Sequence, residues 1–323
     1  MILIVSEETD ATTDIVCNWL NHFQTPWRRV NKEKMSRYEV TVDFEDNREK
    51  ILLKTDGGEI DLNDIHKTWF RRGYLQCDYP TPSCPDPKAG NSMRKHLENE
   101  SRTLEYFLYH ILKEKPYIND PPLYNYNKLI ALHEARKLGW LTPSTLVCRS
   151  GHAIREFTER YPSVITKNIQ DILYLHFSDG TFTSQGTTNV KRDDVNENHY
   201  GYSLFQNEIT KKYELRVFYF LGKMYAAAIF SQLDRKSATD FRNVDVNSHH
   251  PNRIVPFQLP EPVRLKIAKL MEVLRLESGS VDIIVDEHND YYFLEVNPVG
   301  QFNFVSQICN YYMERDIACQ LSL

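Results

Sequence analysis

The spacing of apolar and polar positions changes several times along the chain, and each change marks an element. Ile2–Ser6 is a continuous apolar run of the kind a buried strand shows, and Ile15–Phe23 has helical spacing. Tyr38–Phe44, Ile51–Lys54 and Glu59–Leu62 read as short strands, with Asp56-Gly57-Gly58 as a turn. Thr68-Trp69-Phe70-Arg71-Arg72 reads as a strand end whose two arginines face solvent. A Pro-rich connection, Pro80 to Pro87, leads to Asn91–Lys113, where Leu97, Leu104, Leu108 and Ile111 keep the spacing of a long amphipathic helix.

A second region begins after Pro121-Pro122. Asn127–Gly139 reads as a helix with Leu129, Leu132, Ala135 and Leu138 on its apolar face and Gly139 as its stop. Lys128 sits in the first turn of that helix, where the dipole disfavours a cation and favours an arriving anion such as phosphate. A strand near Ser144–Cys148, a helix around His152–Tyr161 and a strand over Ser163–Lys167 follow. Asp179–Thr188, D-G-T-F-T-S-Q-G-T-T, suits either a loop folded over phosphates or the loop of a hairpin. Leu204–Ile209 passes from an apolar run into a polar link. Glu214–Phe220 is a strand with Glu214, Arg216 and Phe218 on one face, where the glutamate and arginine can simply pair with each other, and Gly222-Lys223 turns it into Met224–Phe230. Ser231–Pro256 is long, polar and irregular, which inside a compact domain is more often functional than idle. Pro262–Leu276 is an amphipathic helix that Gly279 is expected to stop.

Ser280–Phe304 is the most informative stretch. Val281, Ile283 and Val285 alternate with Asp282, Ile284 and Asp286, and a second apolar run spans Tyr291–Val296. Glu287-His288-Asn289-Asp290 between them marks a β-hairpin, with a turn of two or four residues. Strict alternation pairs Asp286 with Tyr291, Ile284 with Phe293 and Asp282 with Glu295, with Asn297 further along the same face. Two carboxylates placed opposite each other repel. They are tolerated more easily with a cation between them, and two carboxylates plus an amide oxygen suit Mg²⁺. An isolated pattern of this kind is also compatible with an ordinary hairpin whose acids point into water.

Composition narrows the classes. A chain of 323 residues holds two or three domains, and a net charge of −5 spread over both signs argues against a nucleic-acid-binding body. No segment approaches the ~20 apolar residues that span a bilayer. The start, M-I-L-I-V-S-E-E-T-D, lacks the basic flank of a signal peptide. Cys17, Cys77, Cys84, Cys148, Cys309 and Cys319 show no metal-site spacing, which fits reduced thiols in a cytoplasmic protein.

The order of these features resembles the ATP-grasp superfamily of carboxylate–amine ligases, which includes RimK-type glutamate ligases and glutathione synthetases. It runs Lys128 on a helix, Lys167 on a strand, a glycine-containing loop, an apolar-to-polar hinge, Glu214-x-Arg216, then Asp282…Glu295-x-Asn297. F-L-E-V-N-P-V-G-Q-F and Trp69-Phe70-Arg71-Arg72 look most like the graspetide (microviridin-type) peptide ligases, with the grasp-with-SPASM maturases in the same neighbourhood. The resemblance covers essentially the whole chain and implies an α/β ATP-grasp fold. It places an N-terminal α/β domain at 1–120, a central subdomain at 121–205 and a C-terminal antiparallel-sheet subdomain with the metal site at 206–323.

It also implies roles. Lys128 and Lys167 would contact ATP phosphates, Gln206, Asn207, Glu208 and Ile209 would hold the adenine, and Glu214 would reach ribose or substrate. Arg216, Lys167, Arg242 and Asp240 would form the catalytic set, with Arg71, Arg72 and Arg253 as weaker partners for an acidic peptide. Asp282, Glu295 and Asn297 would hold Mg²⁺, as two ions. The phosphate loop lacks the dense glycine run of many relatives, and Glu214 stands where RimK-type enzymes often have Asp. The implied activity is macrocyclisation of a ribosomal precursor peptide by a cytoplasmic homodimer, through ester or amide links from Asp or Glu side chains. The alternatives are a ligase for small amino acids or for adding glutamate to a protein, and an inactive nucleotide- or peptide-binding module.

Overall fold

The structure, a computed structural model, describes residues 1–45, 48–120, 127–170, 174–177, 180–183, 186–196, 199–231 and 252–323. The chain divides into two compact units, Met1–Tyr124 with Tyr312–Leu323, and Asn125–Tyr311. Among the described residues no helix is long and apolar enough to cross a membrane.

The first unit is built on a parallel sheet. β1 (Ile2–Ser6) is buried at every position, as its unbroken apolar run requires. It lies between β2 (Trp27–Asn31) and β6 (Lys67–Phe70), and β7 (Tyr117–Ile118) pairs with β6. The crossover from β1 to β2 is helix α1 (Ala11–His22). A second, antiparallel sheet, β3 (Glu39–Glu45), β4 (Arg48–Thr55) and β5 (Gly58–Asp61), packs Ile51, Leu53 and Ile60 into the same core. Helix α2 (Pro87–Lys113) begins where Asp86 accepts bonds from the N–H groups of Lys88 and Ala89, with proline in its first turn. It buries only its last turns, at Leu108, Ile111 and Leu112. The final helix of the chain, residues 313–322, packs against α1.

Arg71 departs from the sequence reading. Its side chain is 1% exposed and pairs with buried Asp10 at 3.4 Å, so it is a core charge rather than a solvated one. Asp10 also accepts from Thr13 at 2.7 Å and from Ser6 at 3.2 Å. The strand end folds back tightly on β1. A Cβ at Gly73 would lie 2.0 Å from the Ser6 carbonyl oxygen, so only glycine fits there.

The second unit holds two antiparallel sheets and a β-hairpin. Helix α3 (Lys128–Lys137) is capped by Asn127, which accepts from Leu129 and Ile130 N–H. It ends at Gly139, whose φ of 74° is the left-handed stop its sequence signals. β8 (Thr145–Ser150), α4 (Gly151–Arg160) and β9 (Val164–Lys167) follow. Within the stretch read as a phosphate or hairpin loop, the described residues 180–183 and 187–188 are strand. β10 (Tyr174–Phe177) pairs with β11 (Gly180–Thr183), while β12 (Thr187–Val190) joins the sheet β12-β9-β13-β8, with β13 spanning His199–Asn207.

The larger sheet has the order β16-β15-β14-β17-β18. Its strands are β14 (Lys211–Phe220), β15 (Lys223–Phe230), β16 (Arg253–Phe257), β17 (Ser278–Asp286) and β18 (Tyr291–Asn297). Helix α5 (Glu261–Val273) feeds β17, and α6 (Asn303–Cys309) and α7 (Met313–Ser322) close the chain. Helix α5 stops at Arg275, in the left-handed region with φ 54°, and Gly279 lies inside β17 instead of ending the helix.

The hairpin keeps the expected pairing at only one end. Asp282 pairs with Glu295, but Ile283 pairs with Phe293, Ile284 with Tyr292 and Val285 with Tyr291. The expected pairs Ile284–Phe293 and Asp286–Tyr291 do not form, because Leu294 is an extra residue, a β-bulge. Phe293 and Glu295 are two apart, so strict alternation would put both on one face. The bulge lets Phe293 bury completely while Glu295 stays opposite Asp282. The shifted register also excludes both expected turn lengths: Asp286 N–H donates to the Asp290 carbonyl at 3.1 Å, which leaves a three-residue turn over 287–289. Asp286 accepts from His288 N–H at 2.9 Å and from Asp290 N–H at 2.8 Å, with Asn289 left-handed.

Burial pushes the Asp10 carboxyl up, but Arg71, Thr13, Arg72 and Ser6 together hold it below the ordinary 3.8. A depressed folded value contributes stability that is complete above the unfolded pKa and is lost as pH falls through the folded one. Asp10→Asn is therefore expected to flatten the acid limb of a stability-versus-pH curve below that value, read by urea unfolding. An unchanged limb would mean the pair contributes nothing to it.

Candidate functional site

One row crosses the larger sheet. Glu295 on β18 pairs with Asp282 on β17, and Asp282 pairs with Arg216 on β14. Directly paired residues share a face, so two carboxylates and a guanidinium stand side by side. Arg216 Nη1 donates to both Asp282 oxygens, at 2.6 and 2.7 Å, and Nη2 donates to the Gln301 carbonyl at 3.3 Å. The two side chains are 8% and 9% exposed, a buried pair. Glu295 is 13% exposed, and its Oε2 lies 3.5 Å from Lys128 Nζ at the start of α3. The chain after α3 is tied to β18: Phe293 N–H donates to the Leu141 carbonyl at 2.9 Å, and Trp140 packs on Phe293.

The segment after β18 is moulded to this row. Asn297 Oδ1 accepts from Val299 N–H at 3.0 Å, and the Asn297 carbonyl accepts from Gly300 N–H at 3.1 Å. A Cβ at Gly300 would lie 2.5 Å from Ser280 Oγ and 3.1 Å from Arg216 Nη2, so the glycine lets the turn close over the guanidinium. Ser280, the register partner of Asn297, is fully buried, and its Oγ has no partner among the described residues.

The other expected residues fall as follows. Glu214 shares the face of Arg216 but does not pair with it. It is held by Lys211, and Ser231 donates to it at 3.3 Å. Gln206 is buried at the end of β13 and donates to Thr145 Oγ1 at 2.9 Å, while its Oε1 has no partner among the described residues. Asn207 Oδ1 accepts from Ser144 N–H at 2.6 Å. Glu208 N–H donates to the Ser163 carbonyl at 3.0 Å, its carboxylate accepts from Ser163 Oγ at 2.7 Å, and Ile209 follows. Lys167 ends β9, in register with Leu204 of β13. Arg253 is on β16, 6.0 Å over the Phe230 ring. Asp240 and Arg242 lie outside the described residues.

Sequence reasoning missed Lys211, Ser280 and the Gln301 carbonyl. A lysine three residues before Glu214 and a lone serine give no periodic signal. Gly300 stood in the quoted Asn-Pro-Val-Gly-Gln run, where a glycine after proline marks a turn. Burial pushes the Cys17 and Cys77 thiols up to about 12 and about 11, so both stay protonated at neutral pH.

Among the described residues no group of three or more His, Cys, Asp or Glu is gathered as for a zinc or iron site. Two carboxylates with an adjacent amide are a hard oxygen set, and Mg²⁺ binds through one or two carboxylates with phosphate and water completing its shell. The residues present fit that ion in the company of a phosphate ligand.

No family model matches the chain, and no curated protein matches it. Solved structures do. A RiPP-associated ATP-grasp ligase of Chryseobacterium gregarium, in complex with ADP and a leader and core peptide, is 25% identical with a TM-score of 0.83, over 99% of this chain and 96% of that one. Macrocyclase MdnC of Microcystis aeruginosa, bound with precursor peptide MdnA, is 21% identical with a TM-score of 0.77, over 99% and 98%. The ATP-grasp ligase PsnB, complexed with a variant of its minimal precursor, Mg and ADP, is 18% identical with a TM-score of 0.73, over 99% and 97%. The chain has the ATP-grasp fold along essentially its whole length.

Removing one member of a buried ion pair strands the other, which typically costs several kcal/mol. Asp282→Ala is expected to destabilise the protein by about 3 kcal/mol in urea unfolding, and Arg216→Met with Asp282→Leu to regain most of that loss. A single variant as stable as wild type would mean that water already screens the pair.

Proposed function

We propose that this ATP-grasp chain is a ligase that macrocyclises a ribosomally made precursor peptide. ATP phosphorylates an Asp or Glu side-chain carboxylate of the peptide. A Thr or Ser hydroxyl then displaces phosphate to give an ester, or a Lys amine does so to give an amide. The observation that supports this most directly is the neutralised row Glu295–Asp282–Arg216 with Lys128 beside it. It gathers carboxylates, guanidinium and ammonium at one place on a fold shared with ligases that hold ADP and peptides.

A carboxylate is a poor acyl donor because oxide would have to leave. Transfer of the γ-phosphoryl group to a carboxylate oxygen makes phosphate the leaving group, and that oxygen departs with it when the nucleophile attacks. Each link therefore removes the elements of one water from the peptide. Phosphoryl transfer asks mainly for positioning and for charge on the moving oxygens to be offset. Lys128, half-exposed at a helix N-terminus, is placed to meet phosphate, and Lys167 serves the same end. Arg216 presents a planar fork suited to a carboxylate or an acyl phosphate. Gln206–Ile209 supply backbone groups to the adenine and Glu214 faces ribose or substrate, with Asp240 and Arg242 as further members of the site. Asp282, Glu295 and Asn297 would hold Mg²⁺, as two ions, and the metal supplies charge neutralisation at the phosphates. The enzyme works as a cytoplasmic homodimer.

The test is high-resolution mass spectrometry of the precursor peptide encoded beside the gene, after incubation with the protein, ATP and Mg²⁺. Losses in whole-water steps that need ATP and are abolished in Glu295→Ala are the expected result. An unchanged peptide, with ATP consumed on adding free amino acids, would overturn the reading in favour of a small-substrate ligase. ATP consumption unaffected by Asp282→Ala would overturn it in favour of a binding module.

A further inference from the structure

Both carboxylates of the metal set already hold a cation. Asp282 is forked by Arg216, whose Nη1 reaches both of its oxygens, and Glu295 lies against Lys128. Each acid of the row has a base against it. A divalent ion needs carboxylate oxygens with free lone pairs. At Asp282, Nη1 takes one lone pair on each oxygen and sets a positive charge against the carboxylate, so an ion there is opposed until Nη1 moves away. The guanidinium has somewhere to pivot: Nη2 keeps a second anchor on the Gln301 carbonyl, in the turn that Gly300 allows to close. Lys128 is freer still, being 31% exposed and bound to Glu295 at only 3.5 Å.

We propose that Arg216 and Lys128 are resident counter-ions that occupy the metal's place, and that the two anionic substrates draw them off. This rests on the ligase reading above. Nucleotide phosphate takes Lys128 from Glu295, and a carboxylate of the peptide takes Arg216 from Asp282. The metal site is complete only when both substrates are present. Coupling of this kind is reciprocal, so the metal tightens the hold on each anion by the same factor that the anion tightens the hold on the metal. The arrangement also explains how two carboxylates face each other without an ion between them. Each is compensated by the side chain that will later hold a substrate.

Binding of Mn²⁺ to the full chain, followed by the electron-spin signal of the free ion, tests this without reading activity. In the absence of nucleotide, Lys128→Gln and Arg216→Gln are each expected to bind Mn²⁺ about tenfold more tightly than wild type, since each removes a unit positive charge from a ligand. Lys128 is at the surface, so its variant folds even if the buried one does not. Lys211→Gln strips a cation from Glu214, which is not one of the metal ligands, and is expected to change binding by less than about twofold. Equal binding by wild type and the variants at 128 and 216 would overturn the exchange and leave the ligase reading standing. A rise in Lys211→Gln matching theirs would also overturn it, by showing a general field effect. Failure of every form to bind Mn²⁺, even with ADP, would overturn both.

Discussion

A guanidinium and a carboxylate buried beside each other in the middle of a β-sheet constrain much of what surrounds them. Neither tolerates loss of water unless the other is held in register. The register comes from β14 and β17, which pair Arg216 with Asp282 directly. A further donor is met by the Gln301 carbonyl, and the turn that delivers it closes only because residue 300 has no side chain. Glu295 is then brought beside Asp282 by a bulge that sends Phe293 to the core. Strand pairing, bulge and turn all serve one charged row.

That row sits where elements of different kind meet. Lys128 comes from a helix N-terminus, where a cation is unfavourable unless an anion is near. Glu295 is that anion in the structure, and phosphate is the anion that ligation chemistry would bring. The same lysine thus explains its own awkward position twice. Lys211 does for Glu214 what Arg216 does for Asp282, which leaves the face of β14 with paired charges rather than bare ones.

How much of this was legible in the sequence depends on the range of each interaction. Helix α3, with its Asn127 cap and its glycine stop, follows from a local pattern and forms as expected. The turn between β17 and β18 falls where it was expected, on local Asx bonds, but its length follows the shifted register instead of the expected one. The Asp282–Glu295 pair was readable, but the pairs beyond it were not. Period-two counting cannot show a bulge, and the reason for the bulge, a buried Phe two residues from a site Glu, exists only once the core is known. The partner of Arg216 was hidden in the same way, since Glu214 is nearer in sequence and Asp282 is nearer in space. Arg71 looked exposed because its neighbour, Asp10, is contributed by the turn into α1. The end of α5 at Arg275 was misplaced because a non-glycine residue takes the left-handed conformation there.

The central claim is that a peptide carboxylate is activated by phosphorylation and loses one of its own oxygens to phosphate. It is tested most directly by a precursor whose Asp and Glu side chains carry heavy oxygen, processed with ATP and Mg²⁺, followed by mass analysis of the released phosphate. The account predicts one heavy oxygen transferred to inorganic phosphate for every ring closed. Rings that close while the phosphate stays unlabelled would contradict it.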